Sequence, residues 1–397
     1  MIPDEWNAVL LDSIAKRGSG HTPDKKHPEY WNGNIKWVSL KDSDRLDSVY
    51  IFDTAAKITS AGIANSSATL HPAGTVVLSR DAGVGKSAIT ADEMAVSQHF
   101  MAWQCGPRLN NHFLYYWLQS KKPEFERIAM GSTIKTIGLP YFRQLLFPLP
   151  PTLEEQGAVA TALKDVDVLI GAVDHLIAKK RDLKQAAIQQ LLTCQKRLPG
   201  FHGEWVVKRV RDISALKNGY AFKSETYTPF GPFKVITIAN VQDGYMDARE
   251  CSNVFSLPQD LQTHQRLVVG EILISMTGNV GRVCRVIEPN CLLNQRVGKL
   301  LPTAIDNGFL YMLLRQPSFI TAMTGVAKGG AQPNLSVSDI NEYSFAIPTE
   351  AAEQAAIAEV LTDMDAELVA LEQRRDKTRA LKQGMMQELL TGRTRLV

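Results

Sequence analysis

Ser79-Arg80-Asp81-Ala82-Gly83-Val84-Gly85-Lys86-Ser87 is the stretch that most resembles a phosphate cradle. Glycines, a lysine and a hydroxyl follow a short apolar run there. A nucleotide-binding loop of that kind needs a further glycine where this chain has Arg80, so the pattern fails. A second stretch, Ser275–Arg282 (SMTGNVGR), fails it too. Two readings remain for both. One is a plain tight hairpin. The other is a hairpin that also offers backbone N–H groups and Lys86 or Arg282 to DNA phosphate.

Other arrangements that carry chemistry are missing from the sequence. No G-x-S-x-G elbow and no H-E-x-x-H helix occurs. Leu149-Pro150-Pro151-Thr152 is the nearest approach to the Asn/Asp-Pro-Pro-aromatic motif of adenine methyltransferases, and does not match it. The eight histidines are dispersed. The five cysteines (Cys105, Cys194, Cys251, Cys284 and Cys291) include no C-x-x-C pair, which predicts neither a disulfide framework nor a metal site. Asp165 and Asp167 recur as Asp363 and Asp365, but residues two apart on a helix do not share a face. They read as solvated or partner-facing groups rather than an acid/base pair.

A second pair of loops is polar and basic: Gly131-Ser132-Thr133-Ile134-Lys135 and Lys328-Gly329-Gly330-Ala331-Gln332-Pro333-Asn334. Such loops reach base edges and phosphates, or are ordinary turns. Loop position and polarity select the DNA-contact candidates. In the first half they are Lys36, Lys41, Arg80, Lys86, Thr133 and Lys135; in the second, Asn240, Arg282, Lys328, Gln332 and Asn334.

The elements that must position these loops form a tandem repeat. Residues 153–199 and 351–397 align without gaps at an offset of 198. Glu155-Gln156 matches Glu353-Gln354, Leu183-Lys184-Gln185 matches Leu381-Lys382-Gln383, and Arg197-Leu198 matches Arg395-Leu396. Similarity persists more weakly outside these runs: Glu5-Trp6 matches Glu204-Trp205, and Phe147–Pro150 matches Phe345–Pro348. The expected segments are a mixed α/β domain over 1–150, a helix over 151–198, a second mixed α/β domain over 199–347 and a second helix over 348–397. Short β-like runs mark the domains, at Ile35–Leu40, Thr75–Leu78, Lys234–Ile238 and Glu271–Ile274. Helical runs at His112–Leu118 and Phe309–Leu314 accompany them.

In the long helices apolar residues recur every three or four positions. Val159, Leu163, Val166, Ile170, Val173, Ile177, Leu183 and Leu191 form one stripe. Ile357, Leu361, Met364, Leu368, Leu371, Leu381, Met385 and Leu389 form the other. Thr152 is the expected N-cap of the first, with Glu154 and Glu155 suiting the helix dipole. Each helix should run for roughly 39 residues, about 58 Å. A stripe of that length needs a partner, either its own domain or the other helix. Antiparallel pairing of the two, through Leu163, Val166, Ile170, Leu361, Met364 and Leu368, would relate the halves by a pseudo-two-fold axis.

Bulk properties add limits. The 397 residues carry a net charge of +3. Residues 1–150 have 16 basic and 14 acidic groups, and residues 199–347 have 14 and 12. DNA binding would therefore rest on a few placed groups rather than a general basic field. No apolar run is long enough to span a membrane, and the first residues lack a signal-peptide core. A reduced cytoplasmic setting is expected.

The helix motifs PLPPTLEEQ, LIAKKRDLKQAAIQQLLTCQKRLPGF, FAIPTEAAEQ and LKQGMMQELLTGRTRL resemble those of type I restriction-modification specificity subunits. GSGHTPDKKHPEYWNGNIKWVSLKD, NGYAF and VITIANVQDG are similar as well. The resemblance covers nearly the whole chain. It implies two target recognition domains that read a bipartite double-stranded DNA sequence. It also implies an antiparallel coiled coil that sets the spacing and docks two methylation subunits. S-adenosylmethionine would sit on those subunits, and ATP and Mg on restriction subunits that join them. This chain would hold no cofactor and perform no reaction. A coiled-coil scaffold without DNA specificity is the alternative. Cys194, where the second copy has Gly392, departs from the repeat at the first helix exit.

Overall fold

The computed structural model describes residues 5–131, 134–327 and 333–396. The chain divides into two compact units. One comprises residues 1–175 and 372–397, the other residues 176–371. Each unit thus contains one globular domain, the start of one long helix and the end of the other.

In the first unit a five-stranded sheet has the order Ala15–Ser19, Phe100–Cys105, Val76–Ser79, Ser87–Thr90, Tyr50–Ile51. A four-stranded sheet has the order Ala56–Ile58, Trp31–Val38, Met94–Val96, Leu70–His71. The pair Asn7–Leu10 and Leu146–Leu149 brings the domain's first and last strands together. The second unit repeats the plan. One sheet is ordered Ser214–Asn218, Val297–Pro302, Ile272–Ser275, Val283–Arg285, and another Ser252–Val254, Phe233–Ile236, Cys291–Leu293, Arg266–Leu267. Trp205–Arg209 pairs with Ser344–Pro348. In each unit one sheet holds a parallel pair, Trp31–Val38 with Met94–Val96 or Phe233–Ile236 with Cys291–Leu293, and an apolar helix, Asn111–Ser120 or Asn307–Leu314, covers the core of the other sheet. Each of these helices starts at a side-chain cap, Asn110 or Asp306.

The long helices are Leu153–Leu191 and Ala351–Leu389, each of 39 residues. The Glu155 N–H donates to Thr152 Oγ1 (3.1 Å), so Thr152 caps the first helix as expected. Within each unit the helix halves run antiparallel and complete the core. In the first, Val159 and Leu163 pack with Leu389 and Leu390 against the domain. In the second, Ile357 and Leu361 pack with Leu191 and Leu192. Val166, Ile170, Met364 and Leu368 are half-buried along the same seams.

Leu183 and Leu381 depart from the expected stripes. They are 46% and 59% exposed. Lys184 and Lys382 take the inward phase instead, seven residues after Ile177 and four after the buried Thr378. Their aliphatic stems cover the seam while the ammonium groups reach carboxylates. Lys382 Nζ lies 2.6 Å from Asp167 Oδ1, and Lys184 pairs with Asp365. Asp167 and Asp365 therefore face the partner helix within each unit, whereas Asp165 and Asp363 are exposed.

The repeated Glu-Gln dipeptides anchor helix to domain. Glu155 accepts a two-pronged interaction from Arg395 (2.7 and 2.9 Å), and Glu353 accepts one from Arg197 (3.0 and 2.5 Å). Both carboxylates are buried, so paired hydrogen bonds must replace their water. Gln156 Oε1 accepts the Asn110 N–H and Gln354 Oε1 accepts the Asp306 N–H, each at 2.8 Å. Each glutamine thereby fastens the residue that caps the domain helix.

Candidate nucleic-acid interface

Both glycine stretches are hairpins. The Ser79 N–H donates to the Lys86 carbonyl (2.8 Å), joining the strands Val76–Ser79 and Ser87–Thr90. The Ser275 N–H donates to the Arg282 carbonyl (2.9 Å) in the same way. Gly85 and Gly281 take φ of +85° and +77°, where a side chain is strained. At Gly85 a Cβ would also stand 2.9 Å from the Lys122 side chain.

In each unit the loop before the long helix is tied to this hairpin. The Ile137 N–H donates to the Arg80 carbonyl (2.9 Å), and the Leu335 N–H to the Met276 carbonyl (2.7 Å). Bridges join Asp81 to Thr136 and Thr277 to Asn334. A third loop closes on the same place. The Arg80 N–H donates to the His99 carbonyl (2.9 Å), and the Met276 N–H to the Arg296 carbonyl (3.1 Å). One backbone framework thus gathers three loops in each unit. Asp81, His99 and Thr136 occupy its positions in the first, and Thr277, Arg296 and Asn334 in the second.

The side chains differ. In the first unit His99 Nδ1 lies 2.7 Å from Asp81 Oδ2, and Thr136 Oγ1 donates to Asp81. A cavity of about 490 Å³ adjoins them, lined by Trp31, Trp37, Lys25, Lys41 and His99 among others. In the second unit Thr277 Oγ1 donates to Asn334 Oδ1 (2.9 Å). The adjoining cavity, about 590 Å³, is lined by polar groups including Asn218, Gln295, Arg296 and Asn334.

The sequence candidates distribute as follows. Arg80 lies beside Asp81 (3.7 Å) at the hairpin base. Lys135 is exposed, and its carbonyl accepts the Ala82 N–H. Lys86 Nζ donates to the Ser43 carbonyl (3.0 Å), and Lys41 lines the first cavity. Lys36 stands apart on its strand, donating to the Phe52 carbonyl (2.6 Å) and pairing with Asp92. Arg282 donates to Gln242 Oε1 (2.6 Å), and Asn334 lines the second cavity. Asn240 is buried. Its Oδ1 accepts the Thr237 N–H and its Nδ2 donates to the Asp247 carbonyl, both at 2.9 Å, so its amide shapes its own loop. Thr133, Lys328 and Gln332 lie outside the described residues.

Sequence reasoning passed over His99, Gln295 and Arg296. The signal was slight: Ser97-Gln98-His99 and Asn294-Gln295-Arg296 share only a glutamine. Elsewhere chemistry is muted. Burial pushes the Cys105 and Cys284 thiols up to about 12, which keeps them protonated and unreactive. Among the described residues no group of three or more His, Cys, Asp or Glu is placed to hold a metal ion. No helix among them is long and apolar enough to cross a membrane.

Comparison with known proteins bears on this arrangement. The family model of the type I restriction modification DNA specificity domain matches residues 3–179 and again 202–379. The type I restriction enzyme MjaVIII specificity subunit of Methanocaldococcus jannaschii is 24% identical over 421 residues, covering 100% of this chain and 94% of its own. The MjaIX specificity subunit of the same organism is 24% identical over 386 residues, covering 88% and 84%. Among solved structures, the type I restriction-modification S subunit from M. genitalium superposes with a TM-score of 0.61 at 17% identity, over 98% of this chain and 96% of its own. With two matches that together span most of its length, this chain belongs to the type I restriction-modification DNA specificity family and carries two copies of the family's domain.

Proposed function

We propose that this chain is the DNA-reading subunit of a type I restriction-modification complex. Each globular domain reads one half of a bipartite duplex target, and the long helices set the distance between the halves. The helices also dock two methylation subunits carrying S-adenosylmethionine, and restriction subunits using ATP and Mg join that core in the cytoplasm. This chain supplies recognition and leaves the chemistry to its partners.

The observation that carries the reading is a duplicated framework with changed side chains. The same three loops converge in both units, yet the first holds Asp81, His99 and Thr136 where the second holds Thr277, Arg296 and Asn334. A scaffold protein has no need to vary one loop cluster while keeping its frame. A two-site reader does, because base readout depends on a few side chains held at a fixed place. Leu183 and Leu381 support the docking role: they are large, exposed and at equivalent positions in the two helices.

The test uses the chain assembled with its methylation subunits. Methylated sites mapped across a random-sequence plasmid library should show two half-sites at one spacing. Inserting a single base pair between them should abolish methylation. Equal methylation at both spacings would refute the ruler, and methylation without sequence preference would refute the reader.

A further inference from the structure

We infer that Arg296 is the principal base-reading residue of the second domain and that the base it reads is guanine. The inference rests on the DNA-reading function proposed above and goes beyond it to a residue and a base.

Arg296 leads into the strand Val297–Pro302 at the point where three loops meet. Its backbone is held on both sides: its carbonyl accepts the Met276 N–H (3.1 Å), and the Val297 N–H donates to the Asn294 carbonyl (2.9 Å). Its side chain is exposed and lines the polar cavity of about 590 Å³. Among the described residues its guanidinium has no ion-pair or hydrogen-bond partner. Two other arginines of this unit are committed elsewhere: Arg282 to Gln242, and Arg315 to Asp365 and the face of Tyr311. No carboxylate is among the residues that line the cavity, so nothing there neutralises the cation.

The surrounding groups narrow the ligand. Thr277 donates its hydroxyl to Asn334 Oδ1, and among the described residues the Asn334 amide nitrogen has no hydrogen-bond partner, which makes it a donor on the same cavity as Arg296. Two donors thus stand on the cavity, a planar guanidinium fork and an amide N–H, and the fork carries the only charge among the lining residues. Guanine offers two acceptors, N7 and O6, on its major-groove edge, and an arginine fork matches that pair. The equivalent position in the first domain has a different character. There Asp81 Oδ2 lies 2.7 Å from His99 Nδ1 and the same carboxylate accepts the Thr136 hydroxyl, so a carboxylate anchors the cluster. One scaffold point thus carries an unpaired guanidinium in one domain and a carboxylate-bound imidazole in the other, as two different half-sites require.

The experiment is target mapping with the full complex, comparing wild type with Arg296→Ala and Arg296→Lys. Arg296→Ala should relax a single guanine position in one half-site, reducing discrimination there about 10- to 100-fold. The other half-site should be unchanged. Arg296→Lys, which keeps the charge but loses the fork, should also relax that position. Binding measured against salt should keep its slope in Arg296→Ala. A slope lowered by about one with all sequences weakened equally would mark a phosphate contact and overturn the proposal. An unchanged target in both variants would overturn it as well, as would relaxation at a base other than guanine. If the wild-type complex showed no sequence preference, the DNA-reading function itself would fail, a result separable from the others because it needs no variant.

Discussion

In the first unit the buried Glu155 receives Arg395 and also the Trp6 indole N–H at 3.3 Å. In the second, Glu353 receives Arg197, while the buried Trp205 indole nitrogen has no hydrogen-bond partner among the described residues. The frame is otherwise the same: the glutamine beside each glutamate fastens a helix cap, and a lysine from the facing helix reaches Asp167 or Asp365. The loop clusters show the reverse balance, with shared backbone bonds and different side chains. Buried paired charges tolerate little change because an orphaned partner is costly. Exposed loop tips tolerate much, since water replaces what is lost.

Substitutions in the frame should thus act alike in the two units, and departures would break the comparison. The largest effects come from Leu163→Ala and Leu361→Ala, each removing a fully buried leucine. Each should cost about 3 kcal/mol. Segment-resolved hydrogen exchange should show the first opening residues 5–131 and the second residues 205–327. A neutral result at one site would end the equivalence of the frames.

Next come Gln156→Ala and Gln354→Ala, which strand a backbone N–H at Asn110 or Asp306. A loss of about 2 kcal/mol is expected for each in urea unfolding. Near-equal values sharpen the comparison, and a difference of more than about 1 kcal/mol, well outside usual additivity error, breaks it.

A smaller, opposite pair lies at the helix exits. Cys194 and Gly392 both adopt left-handed backbone, with φ of +59° and +74°. The exits close with the same bonds, from the Lys196 N–H to the Gln190 carbonyl (3.1 Å) and from the Thr394 N–H to the Glu388 carbonyl (3.3 Å). Cysteine strains there and glycine does not. Cys194→Gly should stabilise by about 1 kcal/mol and Gly392→Ala destabilise by a similar amount. Thermal melts that moved in the same direction for both would contradict the shared exit geometry.

Acidification should separate the units by the smallest margin. Burial lowers the pKa of His71 and of His112, the latter with help from Lys164. Both belong to the first unit. Their unfolded forms take up protons first, near pH 6.5, while the folded forms stay neutral. Stability of that unit is full above pH 6.5 and falls as the pH drops below it toward the lowered native values. Hydrogen exchange at pH 7.5 and 5.5 should show protection lost first over residues 5–131. His71→Gln should reduce the difference.

The repeat, the two 39-residue helices, the paired glycine hairpins and the family were legible in the sequence. Local patterns suffice for them: helical periodicity persists along a run, and glycine marks backbone that other residues avoid. The inward turn of Lys184 and Lys382 was not legible. A six-residue step from Ile177 to Leu183 still reads as apolar, and only packing shows that the lysine stem holds the phase. Nor did any spacing connect Glu155 with Arg395, 240 residues away.

By itself the sequence determined that there are two copies of one domain-and-helix unit, and that the domains diverged more than the helices. Only the tertiary structure decided that matching residues serve crosswise, the glutamate of one copy meeting the arginine of the other. It alone also brought His99 and Arg296 to corresponding loop clusters. The physical reason is common to both. Periodicity and turn chemistry act over a few neighbouring residues, whereas a buried ion pair or a cluster of loops is set by strands and helices that meet from distant parts of the chain.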